Sequence, residues 1–392
     1  MSFINTRKGY DGVAVAVPVT VPYVRYSTRS AHWFLGQAIQ ALVKQSGVPK
    51  EQIDGLTVSS FSLAPDTAVG VTQHLGLSPR WLDHIPTGGA SGVMALRRAA
   101  RAVQAGDASI VACVAADTNQ VDSFRLMLGS FSGFARDATY PYGSGGPNAI
   151  FAFITANYMR KFGATREDFG RICVDQRHNA LAYGSRLFKR PLTLDEYMAA
   201  RIIADPIHLF DCVMPCAGAE AFLVMGEARA RDLGLPFATL RGAIERHNAY
   251  SADPVMERGG WRVDLPELYA LAAAKPADIG FLQAYDDYPV IVMIQAEDLG
   301  FCAKGEGPEF LRAQSLTFDG SFPINTSGGQ LSSGQAGAAG GFMGVTEAIR
   351  QLTDQAAGRA VSGAQLGMVG GFGMVTYDRC LCTAAAILGR SA

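Results

Sequence analysis

The chain lacks an excess of either charge. Its 392 residues carry 34 Lys and Arg against 35 Asp and Glu, a formal net charge of −1. So balanced a surface offers no electrostatic case for nucleic acid or an anionic membrane. It also lacks a long hydrophobic run: no apolar stretch reaches the ~18 residues that a membrane span requires. The stretch from Gly12 to Pro22 is apolar, but it has neither the core nor the cleavage site of a secretory leader. It alternates and carries β-branched residues, which predicts a strand. The seven cysteines (113, 173, 212, 216, 302, 380 and 382) form no CxxC pair of the zinc type. An odd count without a leader predicts reduced thiols, a cytoplasmic location and no metal site.

Glycine, by contrast, is plentiful at 44 residues, 48% of the chain is hydrophobic, and the length suffices for two core-building domains. The glycines cluster, as expected of tight turns and close backbone approach. Residues 28–47 have apolar positions at helical spacing (Trp33, Leu35, Ala38, Ile39, Leu42, Val43), and a strand follows at Gly55. A helix over 91–105 leads into a buried strand over 109–115. Strands are expected again at 221–225, near Phe237, at 280–284 and at 366–376. A helix is expected at 289–299, and a glycine-rich loop and helix at 328–353. The alternation argues for an α/β fold of two similar halves. The halves are assigned to 1–117 with 206–235, and to 236–392. Residues 118–205, richer in polar and aromatic residues, read as an inserted loop or cap domain.

Three glycine-rich segments carry a family likeness. They are Pro86-Thr-Gly-Gly-Ala-Ser-Gly-Val-Met-Ala-Leu96, Ile324-Asn-Thr-Ser-Gly-Gly-Gln-Leu-Ser-Ser-Gly-Gln-Ala-Gly-Ala-Ala-Gly-Gly341 and Leu366-Gly-Met-Val-Gly-Gly-Phe-Gly-Met-Val-Thr376. In this order and spacing they resemble the thiolase superfamily, above all its sterol-carrier-type branch. The resemblance implies a five-layer αβαβα fold, with two sheets enclosing two buried helices. Gly334, Gly337, Ala338, Ala339, Gly340 and Gly341 supply the small residues such a helix needs.

The same resemblance exposes what is missing. The family's nucleophilic cysteine, at the start of the first buried helix, falls on Gly89, which cannot carry an acyl group. Ser91 could replace it only with a base beside it; its ordinary role is that of a small polar residue in a first helical turn. The family's His-Asp-Cys-Phe loop reads Tyr285-Asp286-Asp287-Tyr288. Its Gly-His-Pro reads Gly334-Gln335-Ala336, and an amide donates but does not titrate. Its Cys-x-Gly reads Met368-Val369-Gly370.

The candidate catalytic residues are therefore Tyr285, Gln335, Asp286 and His84, which lies five residues before Gly89. Gly89, Ser327, Gly328, Gly370, Gly371 and Phe372 are the candidate substrate- and coenzyme-A-binding positions. Cys216 is a conceivable displaced nucleophile, with a buried structural thiol as the plainer reading. Tyr140 and Tyr142 lie on a loop able to cover a site. The basic segment from Arg186 to Arg190 lies where family members receive the nucleotide end of coenzyme A, though a solvated charged face explains it equally well.

A pocket for an acyl-CoA without a thiolate disfavours Claisen chemistry. Retro-aldol cleavage of a β-hydroxyacyl-CoA needs only a base and donors for the departing enolate. Thiolase-like steroid side-chain aldolases resemble this chain in their tyrosine loop, but look to place a second tyrosine where Gln335 stands. Thiolase-like subunits of aromatic acyl-CoA degradation are also similar. The alternatives are a divergent β-ketoacyl-CoA thiolase and a non-catalytic acyl-CoA scaffold. The resemblance further implies a homodimer, a small zinc-ribbon/OB-fold partner subunit, and coenzyme A as part of the substrate with no covalently bound cofactor.

Overall fold

Alternating small and branched apolar residues make strands that can be buried on both faces, and the molecule is built on such strands. A computed structural model describes residues 8–121, 133–144, 146–376 and 379–391. The strands are β1 (Val13–Val24), β2 (Gly55–Ser59), β3 (Trp81–His84), β4 (Ile110–Asp117), β5 (Ile202–Ala204), β6 (Ile207–His208), β7 (Ala217–Gly226), β8 (Phe237–His247), β9 (Phe281–Gln283), β10 (Leu366–Thr376) and β11 (Arg379–Arg390). Among the described residues, nine of them form one sheet in the order β3-β2-β4-β7-β1-β8-β11-β10-β9, and β5 pairs with β6 alone.

The two halves meet at the β1–β8 pairing, which spans only Ala14 to Ala16 against Phe237 to Thr239. Period-two alternation then sorts the side chains. In β4, Ile110, Ala112 and Val114 face an outer core with the helix Ala31–Ser46. Val111, Cys113 and Ala115 face an inner core with the helices Ser91–Ala105 and Gly340–Leu352. In β11, Ala384, Ala386 and Leu388 face the same inner core, while Ala385 and Ile387 face the opposite one. The helix Trp261–Ala272 covers β8 and β11 from outside. Helix, strands, two central helices, strands and helix make the expected five layers, with the two sheets hydrogen-bonded into one.

The central helices can cross only because both carry glycine at the crossing. A Cβ on Gly92 would lie 2.1 Å from the Gly341 carbonyl oxygen, and one on Gly341 would lie 2.8 Å from that of Gly89.

The region 118–205 contributes the helices Gly133–Ala138, Gly146–Phe162, Arg166–Leu181 and Leu194–Met198. Two of these pack on the helix Pro289–Asp298, all ten residues of which are buried. Residues 122–132 of the expected cap lie outside the described part.

The glycine-rich loop and helix expected over 328–353 resolve into a short helix at Gly329–Ser333, a turn at Gly337–Ala339, and the central helix Gly340–Leu352. Gly334 sits at φ +105° and Gly337 at φ +51°, where helix cannot continue. Between them Gln335 is held extended: its N–H donates to Met214 and its carbonyl accepts from the Cys216 N–H, both at 2.9 Å. No helix in the described chain is long and apolar enough to cross a membrane.

Candidate active site

The site is assembled where the loop after β9, the broken segment at 334–337, the start of the first central helix and the end of β10 converge. They enclose an open pocket of about 660 Å³ lined by Phe61, Gly88, Gly89, Pro147, Val213, Tyr285, Asp287, Tyr288, Gln335, Gly337, Phe372 and Gly373–Val375.

In the loop after β9 the side chains of residues 285–287 part to different sides. Tyr285 and Asp287 reach the pocket, whereas Asp286 is turned away and fully buried. Asp286 accepts the N–H groups of Gln330 (3.0 Å) and Leu331 (3.2 Å), so it caps the short helix Gly329–Ser333. Gly329 makes room for it, since a Cβ there would lie 2.1 Å from Asp286 Oδ2. Burial raises the Asp286 carboxyl to about 6.

Gln335 is the hub of the pocket. Its side-chain N–H₂ donates to Tyr285 Oη at 3.2 Å and to Asp287 Oδ1. The Tyr285 hydroxyl and the Asp287 carboxylate thus lie side by side on the one amide. Burial and the nearby Asp287 carboxylate push the Tyr285 phenol well above its ordinary value. Burial raises the Asp287 carboxyl to about 7. Tyr288 donates to Asn148 Oδ1 at 2.5 Å and stacks on Phe151 at 4.0 Å.

The Tyr285 backbone is clamped: its N–H donates to Gln295 Oε1 (3.1 Å), and Gln295 Nε2 donates back to its carbonyl (2.7 Å). Gly370 admits the clamp, because a Cβ there would lie 2.1 Å from Gln295 Oε1. The Tyr285 ring lies against Gly89: a Cβ on Gly89 would be 2.0 Å from Tyr285 Cε2 and Cζ and 2.4 Å from the Phe372 carbonyl oxygen.

One carboxylate holds two of the walls. Asp117, at the end of β4, accepts from the Phe61 N–H (2.9 Å), the Ser62 N–H (2.6 Å) and the Ala338 N–H (2.7 Å).

Of the residues singled out in the sequence, Tyr285, Gln335, Gly89 and Phe372 meet in this pocket. His84 ends β3, an edge strand of the sheet, and does not line it. Asp286, Ser327 and Gly370 line a separate, smaller cavity that Tyr285 also borders. Gly328, at φ +92°, packs on Ala180, and Gly371 lets Ala90 approach β10. Ser91 is buried, with its hydroxyl bonded to the Ile85 carbonyl (3.1 Å) and near Thr87 Oγ1 (3.2 Å). Cys216 is buried, and burial pushes its thiol far up. Tyr140 and Tyr142 form a turn in which Tyr142 is exposed, and neither lines the pocket. In the segment 186–190, Leu187 docks against Gly334 and its N–H bonds Ser333, while Lys189 and Arg190 are exposed.

The sequence reading passed over Asp287, Phe61, Val213 and Asp117. For Asp287 the signal present was its place in the same short loop as Tyr285.

Comparison with known proteins agrees with this architecture. Residues 242–390 match a thiolase C-terminal domain-like family model. The chain is 31% identical to a steroid side-chain-cleaving aldolase of Thermomonospora curvata, over 86% of this chain and 89% of that one. It is 30% identical to the 17-hydroxy-3-oxo-4-pregnene-20-carboxyl-CoA lyase of Mycobacterium tuberculosis, over 84% and 88% of the two chains. A chain of the solved Ltp2-ChsH2(DUF35) aldolase superposes with a TM-score of 0.83 at 27% identity, covering 97% of this chain and 98% of that one.

Proposed function

The chain belongs to the thiolase superfamily, on the branch of its steroid side-chain-cleaving aldolases, and from that premise we propose the reaction it runs. It cleaves the Cα–Cβ bond of a β-hydroxyacyl-CoA by retro-aldol chemistry, releasing a carbonyl compound and a shortened acyl-CoA. The observation that carries this is the Tyr285 ring against Gly89, in the space a nucleophilic side chain would need. With no nucleophile there, the pocket has no group to accept an acyl chain. It keeps a donor, the Tyr285 hydroxyl held in place by the Gln335 amide, for the oxygen of a developing thioester enolate.

Phe61, Val213, Tyr288, Phe372, Met374 and Val375 give the pocket an apolar, aromatic wall. Such a wall suits a rigid polycyclic acyl group, and the steroid substrates named for the two relatives support that class. Coenzyme A enters as part of the substrate. Its phosphates are assigned to Lys189 and Arg190, exposed on a segment docked against the Gln335 loop. We assign the enzyme to the cytoplasm, acting as a homodimer with a small zinc-ribbon/OB-fold subunit. The two-component name of the Ltp2-ChsH2(DUF35) aldolase supports such a partner.

The test presents purified protein, with and without a co-expressed partner of that kind, with matched β-hydroxy and β-keto acyl-CoAs of the same steroid side chain. Cleavage of the hydroxy member alone is expected. Cleavage of the keto member with free coenzyme A would establish a thiolase instead.

A further inference from the structure

We infer that Asp287 is the proton acceptor of the reaction and returns that proton to the product. The inference rests on the retro-aldol reading above and narrows it to a base.

Among the described residues lining the pocket, the titratable side chains are Tyr285, Asp287 and Tyr288. Tyr288 is engaged with Asn148, and Tyr285 is a buried phenol beside a carboxylate, so both are neutral at physiological pH. A neutral phenol passes a proton along but does not keep one. Asp286 is not available: its oxygens are turned from the pocket into the helix cap. His84 is not at the pocket. Asp287 alone is a carboxylate, and its side chain is partly open to the cavity.

Its surroundings suit the task. Its own loop presents Asp286 and Tyr285, and the 334–337 segment presents the uncharged Gln335. Phe61, Pro147, Val213 and Phe372, from four other parts of the chain, carry no charge. No cation among the lining residues holds the carboxylate in its ionised form, and burial raises it to about 7. A base poised near the working pH has the driving force both to take a proton and to give it back.

The step balances. The β-hydroxyl proton passes to Asp287, directly or through the Tyr285 hydroxyl beside it. The O–H pair becomes the new C=O bond, the Cα–Cβ bond breaks, and its pair forms the thioester enolate. Protonated Asp287 then delivers the same proton to Cα, and the carboxylate is regenerated without oxidant or reductant. Gln335, donating to both Asp287 and Tyr285, keeps the two acids and the substrate oxygens in register. It thus serves as a positioning residue where the tyrosine expected from the resemblance is absent.

The test uses Asp287→Asn, which keeps the shape and the acceptor for Gln335. Two reactions are followed across pH: cleavage of the β-hydroxyacyl-CoA, and exchange of Cα hydrogens of the shortened acyl-CoA with deuterated water. For the native enzyme both should rise with pH along a limb near 7. Asp287→Asn should lower both by roughly 10²–10⁴-fold and erase the limb, with acyl-CoA binding unchanged. Tyr285→Phe should keep the limb at reduced rate. An Asp287→Asn enzyme that retains the limb overturns the assignment, as does loss of the limb in Tyr285→Phe. If the native protein exchanges Cα hydrogens in an Asp287-dependent way yet cleaves nothing, the base stands and the retro-aldol reading falls. If Asp287→Asn loses acyl-CoA binding as well, Asp287 is a structural residue and the assignment fails.

Discussion

The Tyr285 ring occupies the space that any side chain on Gly89 would enter, at 2.0 Å from where a Cβ would sit. The missing nucleophile and the added tyrosine are thus one steric event. Gly89→Ala should overpack the site, costing about 1–3 kcal/mol of stability. In a Tyr285→Ala background the same change should cost less, since only the 2.4 Å approach to the Phe372 carbonyl remains. Chemical denaturation of the four proteins should give a coupling of roughly 0.5–3 kcal/mol. Additive losses would mean that Phe372, whose carbonyl is also close, sets the limit instead.

No acyl-enzyme should form. Ser91 is bonded inside the fold, and the Cys216 thiol is buried and held protonated. Intact mass after rapid denaturation should show unmodified protein following incubation with a reactive acyl-CoA. A stoichiometric adduct on either residue would return the chain to the acyl-transferring thiolases.

Removing a single donor from the pocket should cost turnover more than binding. Tyr285→Phe keeps the ring and its packing, and Gln335→Ala removes the amide that bonds both Tyr285 and Asp287. Each should lower kcat by roughly 10²–10³ with little change in acyl-CoA affinity. Normal turnover in Tyr285→Phe would reduce the tyrosine to a packing residue.

Much of the fold could be read from residues 91–105, 110–117 and 366–376, because helix and buried-strand patterns there are local and uninterrupted. The site was harder. The segment 334–337 has the small residues of a helix interior, and its break depends on bonds to Met214 and Cys216, about 120 residues away in sequence. His84 is near Gly89 in the chain, yet β3 runs along the sheet edge and leaves it outside the pocket. Asp286 and Asp287 are neighbours in the chain, yet one caps the helix Gly329–Ser333 and the other meets Gln335 in the pocket.

Stability should depend on pH in an unusual direction. Burial raises Asp286 and Glu220 to about 6 and Asp287 to about 7, against ordinary values of 3.8 for the aspartates and 4.5 for the glutamate. The folded protein therefore holds protons that the unfolded chain has released between about pH 4 and 7, and stability falls as pH rises through that window. Below it, acids held low in the fold, such as Asp253 bonded to Arg258, reverse the trend. Thermal midpoints should peak at mildly acidic pH. Glu220→Gln, whose remaining Oε1 can still accept from Thr20 and Tyr23, should flatten the decline. A midpoint that climbs steadily from pH 5 to 8 would contradict these raised carboxyls.

Asp117 grips Phe61 and Ser62 on one wall and Ala338, three residues beyond Gln335, on another. The width of the mouth is consequently set from a point outside the reacting groups. Selection for bulkier or slimmer acyl groups can act on residues 60–62 while Tyr285, Asp287 and Gln335 stay in place. The wall that meets the acyl group and the groups that break the bond are thus held by different contacts.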